Sequence, residues 1–334
     1  MKVLVTGADG FLGNNIVREV LDRGHEVYAF IQQGRHIKTL DELTVTKRYG
    51  DLLNAEEVIQ AAEGCDYIIH AAANTSIWPQ RSEITRRVNH EGTLNVIQAA
   101  LQAKVKRMVS IGSANSFGNG SLENPGDESS PFAAGKYGLD YIDSKRDAQE
   151  AIIDHVENHG LDAVIINPTF MLGPYDTKPS SGELLLALYH QKIPGYTASG
   201  RNFIYVKDVA VAAANALTMG RSGECYIMAN ENLSYKDFNQ LVADELDVQP
   251  PKLLIPKPFI LLYGAVSQMW AYLTGKPPVV SYAVAQISLD TNYYTAAKAV
   301  KELQLPQTPI KIAVREAFNW FQENGYLNKG TARK

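Results

Sequence analysis

Apolar positions along the chain fall into two alternating rhythms. Val3 to Val5 is a short, wholly apolar run. From Asn14 onward Ile16, Val17, Val20 and Leu21 share one helical face, and Gly24 stands where a helix would end. Val27 to Ile31 is the next apolar run, and Asp66 to Ile69 another. Gly92 to Ala103 repeats the helical spacing through Leu94, Val96, Ile97 and Ala100. Met108 to Ile111 reads as a strand, Asp140 to Val156 as a helix, and Val164 to Ile166 as a strand ending at Pro168. Strands without a polar face, separated by amphipathic helices, predict an α/β fold: a doubly wound parallel sheet covered on both sides. Ligands of such a sheet lie at the carboxyl ends of its strands.

After Pro168 the rhythm breaks. Prolines at 174, 179, 194, 250, 251, 256, 258, 277 and 278 predict loops and short helices. The expected organisation is a dinucleotide-binding domain over residues 1–170. A smaller substrate-binding lobe over 171–334 follows, interleaved with late elements of the first. Ile310, Val314, Phe318 and Phe321 have the spacing of a closing amphipathic helix that belongs to the core. Phe259 to Thr274 is the most apolar late stretch and carries Ser267 and Gln268. It is shorter than the roughly 20 residues a membrane span needs. A buried or lid helix is expected there, with a helix resting on a membrane surface as the alternative.

The chain has 334 residues, 45% of them apolar, enough for a large core. A net charge of -4 gives no global pull toward nucleic acid or an anionic membrane. Its two cysteines, Cys65 and Cys225, fit neither a metal site nor a disulfide framework. Met1 and Lys2 run straight into the first strand without the layout of a leader. A cytoplasmic protein without a metal is expected.

Thr6-Gly7-Ala8-Asp9-Gly10-Phe11-Leu12-Gly13 follows the first strand and opens the first helix. Gly7 allows the turn, Gly10 lets backbone approach a pyrophosphate, and Gly13 lets helix and sheet pack closely. The helix N-terminus then offers N–H groups and a positive dipole end to phosphate. An acidic residue ending the second strand would bind the ribose 2′-hydroxyl of NAD. Here Gln32 stands there, with Arg35 and Lys38 downstream, which favours NADP(H) over NAD(H). Asp51, before Leu52, is placed to accept from the adenine amino group. Tyr141 and Lys145 are one helical turn apart and share a face. An ammonium beside a phenol is expected to lower its pKa and make Tyr141 a usable general acid or base.

These motifs together resemble the extended short-chain dehydrogenase/reductases. The glycine loop resembles that family's TGxxGxxG. His70-Ala71-Ala72-Ala73 resembles the end of its fourth strand, which lies along the cofactor, and Val88 to Val96 its VNxxGTxNV helix. Ser110 to Ala114 resembles the serine-bearing end of the fifth strand. Asn167 to Pro174 and Phe203 to Ala210 resemble two later blocks. The resemblance implies that the cofactor touches Gly7, Asp9, Gly10, Phe11, Leu12, Gln32, Arg35, Asp51, Leu52, Ala71, Ala72, Ala73, Pro168 and Thr169. Tyr141 and Lys145 would stand at its reactive end. It implies Ser113 as the third catalytic residue, with Ser110 and Ser116 as rivals. Asn89, His70 and Asp208 are read as structural anchors. Relatives often dimerise through the helices that carry Asn89 and Tyr141, which implies a possible homodimer.

The family also contains sugar-nucleotide epimerases and dehydratases. Ser113-Ala114-Asn115 stands where the dehydratases carry Thr-Asp-Glu, so dehydration lacks its acid and base. Phe170 stands where many sugar-nucleotide enzymes carry Asn, while Arg201 falls where epimerases hold a diphosphate. The segments resemble most the dihydroflavonol reductase-like and 3β-hydroxysteroid dehydrogenase-like branch. Its chemistry is carbonyl–alcohol interconversion on hydrophobic small molecules. Phe259, Leu261, Leu262, Tyr263, Met269, Trp270 and Tyr272 are then expected to line a greasy cleft or to form the second lobe's core. A nucleotide-sugar epimerase is the alternative. A regulator without turnover is disfavoured by the intact Ser113, Tyr141 and Lys145.

Overall fold

The computed structural model describes residues 1–34 and 38–327. The first part runs β1 (Lys2–Thr6), α1 (Phe11–Asp22), β2 (Glu26–Ile31), α2 (Lys38–Asp41), β3 (Thr46–Tyr49), α3 (Ala55–Ala62) and β4 (Tyr67–His70). It continues with α4 (Glu83–Arg86), a wide π turn (Arg87–Glu91), α5 (Gly92–Gln102), β5 (Arg107–Ile111), α6 (Asp140–His159) and β6 (Ala163–Pro168). Then follow β7 (Phe170–Leu172), α7 (Gly182–Tyr189), β8 (Gly195–Tyr196), β9 (Gly200–Tyr205), α8 (Val206–Asn215), β10 (Cys225–Met228) and β11 (Glu231–Ser234). The last elements are α9 (Tyr235–Leu246), β12 (Leu253–Leu254), α10 (Lys257–Thr274), α11 (Tyr282–Ile287), α12 (Ala297–Leu303) and α13 (Ile310–Glu323).

Seven strands form one sheet in the order β10-β6-β5-β4-β1-β2-β3, every pair parallel. Val3 to Val5, Ile68, Ile69, Val109 and Val164 to Ile166 are fully buried, which is why these strands read as unbroken apolar runs. Strand order reverses between β1 and β4, where Thr6 lies opposite His70. That edge is the switch point of a doubly wound sheet.

The chain does not leave this layer at residue 170. β10 pairs with β6, and α8 lies on α1, where Arg23 donates to the Asn215 side chain at 2.8 Å. The second lobe adds a β11-β9-β7 sheet and a β12-β8 ladder. Its centre is Phe203 stacked on Phe238, with ring centroids 3.9 Å apart and planes 5° from parallel. α13 closes this core with Ile310, Val314 and Phe321 at zero exposure, as its spacing predicts.

One expectation is overturned. α10 is not buried in the second lobe's core. Phe259, Leu262, Tyr263, Met269, Trp270 and Tyr272 are exposed, together with Val266 and Leu273, while Leu261 is half-buried. The fully buried positions of this helix are Gly264 and Ala271. A Cβ on Gly264 would come within 2.8 Å of the Ala285 side chain on α11. The close approach of α11 admits only small side chains, so the large ones are on the other side. Among the described residues no helix is long and apolar enough to cross a membrane.

Truncation of Phe203 to Ala removes one half of a fully buried ring stack. Urea unfolding should show a loss of about 3–5 kcal/mol. A loss below about 1 kcal/mol would mean that the second lobe's core is organised elsewhere.

Candidate active site

β1 ends in a turn that only glycine accommodates. Gly7 has φ +67°, and a Cβ there would meet the backbone of Ala72 at 2.6 Å. A Cβ on Gly13 would lie 2.0 Å from the Gly7 carbonyl oxygen, so turn and helix are in direct contact. Gly10 caps α1 without a side-chain bond, and the first turn of α1 carries no acidic residue. Its N–H groups therefore present the positive end of a helix at the β1–β4 edge.

A chain of buried hydrogen bonds ties this loop to the neighbouring helices. Ala72 N donates to Thr6 Oγ1 at 3.3 Å, and Thr6 Oγ1 is 2.7 Å from His70 Nδ1. His70 Nε2 is 3.1 Å from Thr93 Oγ1, whose proton goes to the Asn89 carbonyl at 2.6 Å. Thr93 must then accept from His70, so the imidazole carries its proton on Nε2 and accepts at Nδ1. Burial, reinforced by the charge of Lys145, pushes the His70 pKa down to about 3. The ring is a neutral connector with both nitrogens engaged. The Asn89 amide donates to the Asn74 carbonyl and to Ser144 Oγ, each at 3.0 Å, and its Oδ1 accepts from Asn74 N. The wide π turn that carries Asn89 thereby joins the segment after β4 to α6.

The residues expected around a cofactor lie along the carboxyl edge. Asp9, Gly10, Phe11 and Leu12 form the β1–α1 junction, and Gln32 directly follows β2 and is exposed. Arg35 lies outside the described residues. Asp51 follows β3, where its carboxylate accepts from Leu53 N at 3.0 Å. The Leu52 carbonyl is held by the Asn95 side chain at 2.9 Å. Ala71, Ala72 and Ala73 continue β4, each half-buried. Pro168 ends β6, and Thr169 Oγ1 donates to Asn202 Oδ1 at 2.7 Å.

Tyr141 and Lys145 project from the first two turns of α6. This helix begins where Asp140 is clamped by Arg81 Nη1 at 2.9 Å and Ser82 N at 2.6 Å. Ser113 follows β5, its hydroxyl accepts from Asn115 N at 3.2 Å, and it stands near enough to the Tyr141 phenol to influence its pKa. Of the rival serines, Ser110 lies within β5 beside His70, and Ser116 Oγ is buried without a hydrogen-bond partner. The Ser113 carbonyl accepts from the Asn167 amide at 3.1 Å, and Asn167 also donates to Gln149 at 2.8 Å. Sequence reading missed this support, because nothing local signals partners so far apart in the chain. Lys145 Nζ is buried and donates to the Ile111 carbonyl at 2.6 Å. Its pKa is pushed down by burial to about 8.

The phenol differs from expectation. Burial raises the Tyr141 pKa above its ordinary value, and nearby Ser113 only opposes that shift. The ammonium that was to lower it is directed to Ile111. The Arg201 guanidinium lies 4.4 Å from the centre of the Phe170 ring. Asp208 receives Thr308 N and Oγ1, both at 2.8 Å, and anchors the approach to α13. A small cleft is lined by Asn115, Phe117, Ala133, Ala134, Tyr137 and Tyr294, with Asn119, Lys136 and Asn292.

The profile of the NAD dependent epimerase/dehydratase family matches residues 3–229. The chain belongs to that family. A protein of Synechocystis sp. provisionally assigned as a dihydroflavonol 4-reductase is 33% identical, across 97% of this chain and 95% of its own. Sterol demethylase protein B of Methylococcus capsulatus is 30% identical, across 98% of this chain and all (100%) of its own. The crystal structure of gox2253 superposes with a TM-score of 0.85 at 30% identity, covering 97% of this chain and 98% of that one. The family is NAD(P)-dependent, and the epimerase/dehydratase chain described here fits such a dinucleotide. The start of α1, where Gly10 gives no side-chain cap, suits a pyrophosphate, while Gly7 and Gly13 let turn, strand and helix meet.

His70 makes a pH prediction. Its folded pKa, about 3, lies below the unfolded value of about 6.5. Between those limits the unfolded chain binds the extra proton, so stability falls as pH drops from about 6.5 toward 3. His70→Asn should flatten that dependence by up to about 1.4 kcal/mol per pH unit. Urea midpoints measured from pH 7 to pH 4 test this. Parallel pH profiles for the two proteins would show that His70 is not buried neutral.

Proposed function

We propose that the protein interconverts a ketone or aldehyde and the corresponding alcohol on an apolar small molecule, using NADP(H). The observation that carries the reading is a buried Tyr141 phenol near Ser113 and one helical turn from a buried Lys145, at the sheet edge that the glycine loop faces. A nicotinamide dinucleotide bound along that edge would supply or accept the hydride. The protein's share is the proton. Burial keeps the Tyr141 phenol protonated, so in the reducing direction it is the donor to the carbonyl oxygen. Ser113 Oγ holds the same oxygen as negative charge develops, which a neutral donor in a dry site does effectively. Lys145, cationic below about 8, would donate to the ribose hydroxyls of the bound dinucleotide. Return of a proton to Tyr141 resets the site.

Several features support an apolar carbonyl compound over a sugar nucleotide. Phe170 replaces the diphosphate-side Asn, and its ring takes up the Arg201 guanidinium. Ala114 and Asn115 supply no acid for dehydration. The two relatives are named for a flavonoid-type and a sterol substrate. Gln32 in place of a carboxylate, with Lys38 at the start of α2, supports NADP(H).

Purified protein should oxidise NADPH steadily in the presence of aromatic, steroid or long-chain ketones, and faster than NADH. Interconversion of UDP-glucose with no net change in cofactor would replace this reading by epimerisation. Tyr141→Phe should lower kcat by at least about 100-fold while the Kd for NADPH changes little. Unchanged turnover would remove Tyr141 from the reaction.

A further inference from the structure

We propose that α10 lies in the surface of a negatively charged lipid bilayer, with its axis in the membrane plane. The helix is inside out for a protein in water. Its polar residues face the protein: Gln268 donates to Gln80 Oε1 at 3.3 Å and accepts from Tyr282 N at 2.9 Å. Its bulky residues face away, with Phe259, Leu262, Val266, Met269, Trp270 and Leu273 each more than half exposed. Leu253 and Leu254 of β12, before the helix, and Val279, after it, are exposed as well. An apolar face this long marks an interaction surface.

Charge selects the occupant. Between Asp247 and Asp290 the sequence holds no carboxylate, but it holds Lys252, Lys257 and Lys276, in a chain whose net charge is -4. The three lysines are exposed and stand before, at the start of and just after α10. Asp290, the next acidic group, is held by Lys136 at 2.6 Å and by the Tyr137 hydroxyl at 2.5 Å. A second copy docking through a two-fold axis would set this patch against itself. That arrangement brings lysines to lysines with no acid in the segment to separate them. An anionic lipid surface satisfies both halves of the pattern: acyl chains for the rings and aliphatics, headgroups for the lysines. Trp270, Tyr263 and Tyr272 are residue types that settle at the boundary between the two. The polar inner stripe, bonded to Gln80 and α11, keeps the helix on the surface and prevents it from crossing.

Co-sedimentation of the full chain with phosphatidylcholine vesicles, with and without phosphatidylglycerol, tests the proposal without reference to turnover. Failure of binding and failure of the reductase reading are therefore separable. Binding should require phosphatidylglycerol and weaken with salt. Each of Lys252→Gln, Lys257→Gln and Lys276→Gln should weaken it by about fivefold. The triple variant Leu262→Gln, Met269→Gln, Trp270→Gln should lose it while keeping its melting temperature and NADPH affinity. The proposal is overturned if wild-type protein stays in the supernatant with both vesicle types. It is equally overturned if binding ignores phosphatidylglycerol, or if the triple variant sediments like wild type. Lipid-free dimerisation that the triple variant abolishes, without vesicle binding, would assign the face to a second copy.

Discussion

Two backbones meet where Gly7 passes Ala71 and Ala72, so closely that a Cβ on Gly7 would overlap the Ala72 backbone at 2.6 Å. The carboxyl edge of the sheet is organised around that approach. It sets β1 and β4 side by side at the point where strand order reverses. It also places Thr6 where one hydroxyl serves both Ala72 N and His70. From His70 the connection runs through Thr93 and Asn89 to Ser144, between Tyr141 and Lys145 on α6. The loop suited to phosphate and the helix that carries the phenol are thus parts of one buried network. Every donor in it has a defined acceptor, and a network in that state holds its members rigidly.

The same dryness governs the chemistry. His70, Lys145 and Tyr141 share a volume in which charged forms are disfavoured, and burial moves each toward neutrality. Burial, not Lys145, dominates at Tyr141, which is why the phenol rises where a neighbouring ammonium alone would lower it. A protonated phenol and a neutral hydroxyl suit a reaction in which negative charge appears on an oxygen and needs a proton. Lys145 is the one cation among the three, and its ammonium is fixed by the Ile111 carbonyl. Positive charge in so dry a place acts strongly on any oxyanion that forms near it.

Much of this was legible in the chain, for identifiable reasons. Strands covered on both faces leave unbroken apolar runs, and Val3 to Val5 or Val164 to Ile166 can hardly be read otherwise. Glycine spacing after such a strand encodes a steric demand, so Gly7 and Gly13 announce their own contacts. β3 escaped notice because it is an edge strand, Thr-Lys-Arg-Tyr, with no residue fully covered. α1 starts at Phe11 instead of Asn14 because the glycine loop itself begins the helix. Asn167 and Gln149 were invisible because their partners are far away in sequence. At Tyr141 the residues were legible and their electrostatics were not, since spacing along a helix says nothing about how far water is excluded.

α10 shows where apolar periodicity stops being informative. A helix apolar nearly all round reads as buried, since burial is the usual way to remove such a surface from water. What decides direction is the small and polar stripe, Gly264, Ser267, Gln268 and Ala271, and it is the stripe that packs. Gly264 lets α11 approach, and α11 in turn places Ala283 against Tyr137, Leu139 and Ile142, with Tyr141 alongside. Tyr272 meets Trp78 at 5.2 Å, and Gln268 reaches Gln80, whose carbonyl accepts from Asp140 N at the start of α6. The exposed apolar face and the proton-bearing helix are therefore linked by two short bridges. A surface that costs free energy in water is retained at no disadvantage when its working environment is not water.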